Sequence, residues 1–164
     1  MKKFWNNIKS YVYIIICVVL FRTFIATPAI VNGDSMYATL NDGEVIIINK
    51  VIKYFKNFER FEIVVIKNVE DEDRIIKRII GLPNEKIEYK YNKLYINDEQ
   101  VKPDISFEIT DDFVYTTKDD EYFVMGDNRD ISKDSRILGT FKKDDIIGRV
   151  GFVLYPFNKI GFVK

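Results

Sequence analysis

The chain has 164 residues, which is enough for one domain with a small appendage. Its 25 basic and 25 acidic residues balance, so bulk charge provides no attraction to nucleic acid. The 47% hydrophobic and 15% aromatic content predicts a packed β-rich body rather than disorder. The chain has no histidine and only one cysteine, Cys17, so it lacks a zinc-binding set and an internal disulfide. We expect neither a metal nor another cofactor.

The N-terminal region is basic and then apolar, and its first acidic residue is Asp34. Residues 11–27 are almost wholly apolar, and a membrane-spanning helix needs roughly 20 apolar residues, with a lower limit near 17. Basic residues before such a segment favour a cytoplasmic N-terminus. The pattern therefore predicts a cytoplasmic segment over 1–10, a transmembrane helix over 11–27 that Pro28 ends, and an extracytoplasmic domain over 28–164. The lysines that precede the apolar segment are Lys2, Lys3 and Lys9.

A cleaved secretory signal peptide is the alternative interpretation of this segment, since such peptides also combine a charged start with an apolar run. The nearest small residues that could mark a cleavage site are Ala26 and Ala29, in a poor context beside Pro28. We prefer an uncleaved anchor, although both interpretations place the rest of the chain outside the cytoplasm.

The remainder of the chain has the pattern of short β-strands. β-Branched and aromatic runs bounded by turn residues predict strands, and the order of these runs predicts a mainly antiparallel β fold. A short helix is expected within 51–58, and a hairpin over 86–98 should turn at Asn92-Lys93 and again at Asn97-Asp98. The predicted strands are 44–49, 61–67, 74–80, 122–125 and 146–156.

The stretch GDSMYATL, residues 33–40, contains a serine in a small and polar setting. Serine nucleophiles usually transfer their proton to a histidine, and this chain has none. Ser35 is therefore either an ordinary loop serine or a nucleophile with a different base.

Lysine serves as a base when burial or a nearby cation lowers its pKa. In the strand over 74–80, alternation places Ile75, Lys77 and Ile79 on one face, with the cation of Arg78 next in sequence. The apolar side chains and the nearby cation both disfavour the charged ammonium form of Lys77. A solvated lysine on an edge strand is the alternative interpretation.

The stretch GDNRDISKDSRILG, residues 126–139, is polar and directly follows an apolar run. It could be an ordinary surface loop. Its density of acids, arginines and serines is also typical of a loop whose side chains hold neighbouring catalytic groups in place.

These stretches occur in one order: SM-x-x-TL at 35–40, KRIIGLP at 77–83 and GDNR-x-x-S-x-DSR-x-x-G at 126–139. Together with the N-terminal apolar segment, the chain resembles the bacterial type I signal peptidases over nearly its whole length. The resemblance implies a coiled antiparallel β-sheet body with one N-terminal transmembrane helix. It also implies a membrane-bound serine endopeptidase that removes signal peptides from secretory preproteins and binds the substrate as a strand along an edge of its own sheet. No feature of the sequence indicates an oligomer, and we expect a monomer in the lipid bilayer.

The resemblance also implies roles for particular residues. Ser35 attacks the scissile carbonyl and Lys77 is the general base. Met36 helps to line the substrate cleft, and an ordinary packing role is the alternative for this residue. Gly33 stands where the family has a second oxyanion donor, and it offers no hydroxyl. The supporting residues implied are Ser132, which orients the Lys77 amine, the pair Asp127 and Arg78, and the pair Asp134 and Arg136.

The sequence departs from the family at Ala38, where proline is usual, and at Asn84-Glu85, where Gly-Asp is usual. The short interval between Pro83 and the third motif predicts that the accessory β region of larger members is small or absent.

Two rival functions remain open at this stage. Self-cleaving repressors share the Ser–Lys pair and a related fold, but they use their N-terminus to bind DNA. A membrane-anchored β module without activity is the second rival. Signal peptidases of the eukaryotic type, which have histidine in place of Lys77, are excluded because the chain has no histidine.

Overall fold

The computed structural model describes residues 2–67, 74–103, 105, 107 and 109–163, with side chains from residue 9 onward except residue 10. The helices are α1 (Lys2–Leu20), α2 (Ile52–Phe55) and α3 (Ser135–Leu138), with a π-helical turn at Phe21–Ile25 and 3₁₀ turns at Lys143–Asp145 and Phe157–Lys159. The strands are β1 (Ala26–Ile30), β2 (Val45–Asn49), β3 (Ile63–Lys67), β4 (Arg74–Gly81), β5 (Lys86–Lys90), β6 (Lys93–Ile96), β7 (Glu99–Val101), β8 (Phe113–Thr116), β9 (Glu121–Met125), β10 (Phe141–Lys142), β11 (Ile146–Tyr155) and β12 (Gly161–Phe162).

The main sheet has the strand order β1-β2-β11-β3-β4-β9-β10, and β12 also pairs with β11. All strand pairs within the described residues are antiparallel, which confirms the mainly antiparallel β part of the predicted fold. The predicted alternation in β4 is also confirmed. Ile75 and Ile79 pack in one apolar cluster with Val64, whereas Ile76 packs in a different cluster on the other face.

A second sheet, with the strand order β7-β6-β5-β8, lies between the second and third motifs in sequence. The accessory β region is therefore small but present. The second hairpin turn is at Asn97-Asp98, as predicted, and both residues have positive φ. The first turn is one residue earlier than predicted, at Tyr91-Asn92, because Lys93 already begins β6. Hydrogen bonds from Tyr91 N to Asp112 and from Thr110 N to the Asn92 side chain hold this turn.

The N-terminal helix ends earlier than the sequence suggested. The π-helical turn stops at Ile25, and Pro28 lies within β1 instead of ending the helix. Proline is tolerated there because β1 is an edge strand, paired only with β2 among the described strands. No helix in the described part of the chain has the combined length and hydropathy required to cross a membrane. The side chains of Lys2 and Lys3 lie outside the described residues, while Lys9 is exposed.

Candidate active site

Ser35 lies in the loop that connects β1 to β2. Three buried apolar side chains of this loop, Val31, Met36 and Leu40, pack into the core under the main sheet. The Tyr37 N–H donates to the Asp34 carbonyl and the Leu40 N–H donates to the Met36 carbonyl, which closes the turn around the serine. Ser35 is consequently half-buried on a turn that is anchored on both sides.

Lys77 lies in β4, opposite Val64 of β3, and only 3% of it is exposed. Its Nζ lies 2.7 Å from Ser35 Oγ and donates a hydrogen bond to it. Burial lowers the pKa of Lys77 from 10.5 to about 8, although the carboxylates of Asp134 and Asp127 act in the opposite direction. The edge-lysine alternative is wrong, because Lys77 is neither exposed nor solvated.

The ion pair expected between Arg78 and Asp127 is present and fully buried. Arg78 Nε donates to Asp127 Oδ1 at 2.9 Å and Nη2 donates to Oδ2 at 2.7 Å, while Nη1 donates to the Phe61 carbonyl. The Thr39 hydroxyl also donates to Asp127 Oδ2. Thr39 belongs to the loop between β1 and β2 that carries Ser35, which we call the nucleophile loop. The Arg78–Asp127 ion pair therefore connects the nucleophile loop to β4 and to the loop that follows β9.

Asp134 and Arg136 also pair as expected, and they tie together the loop over 126–139. Arg136 Nε and Nη2 donate to the two Asp134 carboxylate oxygens at 2.9 and 3.0 Å. The Gly126 N–H donates to Asp134 Oδ2 at 3.0 Å, and Arg136 Nη2 donates to the Arg129 carbonyl at 2.7 Å. Asp134 is completely buried and also caps α3. The loop is therefore a rigid element and not a solvated surface loop.

Ser132 is buried beside the site, but its expected hydrogen bond to Lys77 is absent. Its Oγ has no hydrogen-bond partner among the described residues. A Cβ added at Gly126 would lie 2.2 Å from Ser132 Oγ and 2.5 Å from the Ser35 carbonyl oxygen. The serine hydroxyl therefore packs against Gly126, and glycine is required at that position because no side chain fits.

Contacts that sequence reasoning missed hold the nucleophile loop in place. The Asn128 N–H donates to the Ser35 carbonyl at 3.1 Å. Gly33, which has φ of +84°, donates its N–H to Asp42 Oδ1 at 2.7 Å. The Gly33 N–H is thus already bonded within the loop. The GDNR motif was a signal for Asn128, whereas no pattern in the sequence pointed to Asp42.

The cleft beside Ser35 is a cavity of about 380 Å³ between the nucleophile loop and β4. Met36 lines it and is also part of the buried core, so both of its expected roles are compatible with its position. Residues 74–77 of β4 pair only with β3 among the described strands, because β9 begins its pairing at Arg78. The lining includes Ala29, Ile30, Gly33, Val65 and Ile76.

Glu85, at one of the positions where the sequence departs from the signal peptidase pattern, makes structural contacts away from the cleft. Arg60 donates to both Glu85 carboxylate oxygens, at 2.9 and 2.6 Å, and the Leu82 N–H donates to Glu85 at 2.6 Å. Within the described residues, no group of three or more histidine, cysteine, aspartate or glutamate side chains is placed to hold a metal ion.

Residues 4–155 match the family described as signal peptidase, peptidase S26. The chain is 42% identical to signal peptidase I S of Bacillus subtilis, over 93% of this chain and 89% of that protein. It is 41% identical to a signal peptidase I of Bacillus amyloliquefaciens, over 95% of this chain and 90% of that protein. A crystal structure of a signal peptidase I from Enterococcus faecalis is similar, with a TM-score of 0.53 and 34% identity over 57% of this chain and 97% of that one.

A serine endopeptidase of mainly antiparallel β architecture is the class that these likenesses define. The chain belongs to the signal peptidase family, peptidase S26. Its enzymatic type is that of the signal peptidase I proteins, which hydrolyse peptide bonds. This membership decides against the repressor alternative.

Proposed function

We propose that this protein cuts signal peptides from exported preproteins with Ser35 as nucleophile and Lys77 as general base. The main support is the 2.7 Å distance between Ser35 Oγ and Lys77 Nζ, together with the burial that brings the pKa of the amine to about 8. A base of this pKa is neutral in a useful fraction of molecules near neutral pH. An exposed lysine with an ordinary pKa is almost entirely protonated at that pH.

In this mechanism the neutral Lys77 amine accepts the proton of the Ser35 hydroxyl as Oγ attacks the scissile carbonyl. The resulting ammonium then gives that proton to the leaving amine, and the signal peptide remains bound to Oγ as an ester. Water attacks the ester while the neutral Lys77 amine accepts a proton from it. As the ester bond to Oγ breaks, Lys77 donates that proton to Oγ, which releases the signal peptide as a carboxylic acid and restores the Ser35 hydroxyl. The Arg78–Asp127 pair joins β4, which carries Lys77, to the loop that carries Ser35, and the Arg136–Asp134 pair ties together the neighbouring loop over 126–139.

The substrate enters as an extended strand along the open edge of β4. Residues 74–77 offer backbone groups for pairing, and the cavity of about 380 Å³ receives its side chains. The resemblance to the signal peptidases implies small residues such as alanine at the first and third positions before the cut, and the lining of this cavity by Ala29, Val31, Met36 and Ile76 is compatible with apolar side chains of that kind. Affinity then comes from hydrogen bonds between the backbones of the substrate and β4, and specificity comes from the fit of substrate side chains in the cavity.

The N-terminal segment anchors the enzyme in the lipid bilayer in this proposal, with 1–10 in the cytoplasm, 11–27 in the membrane and 28–164 outside. Support comes from the apolar side chains of α1 and the following turn, which are exposed and therefore available to lipid. They are Tyr11, Val12, Tyr13, Ile14, Ile15, Ile16, Val18, Val19, Leu20, Phe21, Phe24 and Ile25. The enzyme acts as a monomer.

Depletion of the protein in its host, followed by a census of secreted and membrane-bound preproteins, tests this function. We expect uncleaved preproteins to accumulate and to be processed again when the wild-type chain is restored. A matched strain that carries Ser35→Ala at the same protein level should not recover. Normal processing in that strain would contradict the proposed function.

A further inference from the structure

The segment between β7 and β8 places an aromatic ring between two arginines of the active-site region. The Arg129 guanidinium lies 4.3 Å from the centre of the Phe107 ring, and the Arg78 guanidinium lies 5.9 Å from it. Both distances are within the range of attractive cation–π contacts. Phe107 also contacts Phe61, whose carbonyl accepts a hydrogen bond from Arg78.

Arg129 is buried, and the second sheet and its connecting segment hold its guanidinium. Arg129 Nη1 donates to the Thr110 hydroxyl at 2.6 Å, and the Tyr89 ring lies 5.2 Å from the guanidinium. Its Nε donates to the Gly126 carbonyl at 2.9 Å. One side chain thus connects the second sheet to the start of the third motif.

The turn over 126–129 holds the backbone of Ser35 in place. Its Asn128 N–H donates to the Ser35 carbonyl, and its Asp127 side chain binds both Arg78 and Thr39. Phe107 lies near both arginines that bind this turn, Arg78 through Asp127 and Arg129 through the Gly126 carbonyl. A shift of the ring would therefore move the support of Ser35 and of the Arg78–Asp127 pair together.

We infer that Phe107 is a positioning residue for the reaction, which acts through Arg78 and Arg129 on the turn that fixes Ser35. This inference rests on the proposed function. It gives the second sheet a role in catalysis, although the sheet contributes no group to the cleft. Misplacement of reacting groups by about 1 Å costs up to about a hundredfold in rate, so loss of the ring should be visible in turnover.

The test uses the full chain in detergent with a signal-peptide substrate and compares Phe107→Leu, Phe107→Tyr and Ile109→Ala. Leucine removes the ring face but keeps an apolar side chain, whereas tyrosine keeps the ring. Ile109 belongs to the same segment and is 78% exposed, so its truncation is a matched control. We expect Phe107→Leu to lower kcat by about tenfold, with KM within about twofold, while the other two variants retain wild-type kcat.

The pH profile separates positioning from simple destabilisation. Lys77 faces the carboxylates of Asp127 and Asp134, and Asp127 is neutralised by Arg78. A less tightly held Arg78 compensates Asp127 less, so the midpoint of kcat/KM against pH should move to higher pH in Phe107→Leu. A loss of folded protein would scale the whole profile without moving its midpoint.

Wild-type kcat and an unchanged midpoint in folded Phe107→Leu would overturn the inference, as would an equal loss in Ile109→Ala. If Phe107→Leu does not fold, Thr110→Val decides in its place, because it removes the hydroxyl that accepts from Arg129. Lower kcat in Thr110→Val supports the inference and wild-type kcat overturns it. Cleavage that survives in Ser35→Ala would instead refute the proposed function.

Discussion

Ser35 Oγ and Lys77 Nζ lie 2.7 Å apart although 42 residues separate them in sequence. The serine is held by a loop whose apolar side chains are buried, and the lysine is held by the pairing of β4 with β3. Neither residue depends on the other for its position. Their proximity is thus a property of the fold, which is what preorganised catalysis requires.

Ser35→Ala and Lys77→Ala should each abolish cleavage, because the first removes the attacking oxygen and the second removes its proton acceptor. The double variant should be no slower than either single variant, since groups that act as a unit are not additive. The measurement is kcat/KM on a signal-peptide substrate with purified protein. Substantial activity in Lys77→Ala would show that another group is the base.

The pH dependence should report the lowered pKa of Lys77. We expect kcat/KM to rise about tenfold per pH unit below pH 8 and to level off above it, because only the neutral amine accepts the proton. No step characteristic of a histidine should appear, since the chain has none. A flat profile in the wild type between about pH 5 and 9 would exclude Lys77 as the titrating base.

Asp127→Asn should move the midpoint of this profile to lower pH. The substitution removes a carboxylate that raises the pKa of Lys77, and that carboxylate then no longer balances the positive charge of Arg78. Asp98→Asn is the control, because Asp98 lies on an exposed turn of the second sheet. A midpoint that moves equally in both variants would contradict the assigned electrostatics.

Lys77→Met should be inactive yet more stable than the wild type at pH 6. The pKa of Lys77 is about 8 in the folded protein and 10.5 in the unfolded chain, so the unfolded chain holds the proton more tightly. The buried ammonium then costs about 3 kcal/mol below pH 8, and this cost disappears as the pH rises to 10.5. Urea unfolding at several pH values measures it, and a stability difference independent of pH would contradict the prediction.

The pair between Lys159 and Glu44 should stabilise the nucleophile loop. Lys159 Nζ donates to the buried Glu44 Oε1 at 2.7 Å, and Asn41 donates to the same oxygen. Lys159→Met leaves that carboxylate without its cation and should lower the free energy of unfolding by about 2 kcal/mol, given the partial exposure of the lysine. Glu44→Gln in the same chain should restore most of the loss.

The matched control for that pair is Lys86→Met, whose ion pair with Asp98 lies on the surface and should matter little. Urea unfolding of the wild type and these three variants provides the comparison. If Glu44→Gln worsened the Lys159→Met variant, the buried carboxylate would not be the source of its instability.

The membrane topology can be tested separately from catalysis. A reporter fused after Lys164 should be active only outside the cytoplasm, and the mature protein should retain residues 1–29. Sequencing of the mature N-terminus distinguishes the two interpretations of the apolar segment. A mature chain that begins near residue 30 would identify it as a cleaved signal peptide.

Local patterns were sufficient to predict much of the fold. Alternation along 74–80 placed Ile75 and Ile79 together on one face, because strand geometry fixes which side chains share a face. The turn at Asn97-Asp98 was predicted because these residues tolerate positive φ. The first hairpin turn was displaced by one residue, since Tyr91 donates its N–H to Asp112 and the Asn92 side chain accepts from the Thr110 N–H, and those contacts are not local.

The amino-acid sequence by itself determined which groups are available for the chemistry. Without histidine, a serine nucleophile needed another base, and the apolar neighbours of Lys77 made it the best candidate. The resemblance of the motifs to those of the signal peptidases implied the partners of Arg78 and Arg136, and both ion pairs are present in the structure.

Only the tertiary structure decided how those groups are held. The bond from Gly33 to Asp42, the pair of Lys159 with Glu44 and the ring of Phe107 beside Arg129 all depend on how loops and sheets pack. The missing bond between Ser132 and Lys77 likewise depends on where the buried hydroxyl packs against Gly126. Such contacts join residues with no periodic relation in sequence, because packing in three dimensions brings them together and local backbone preference does not.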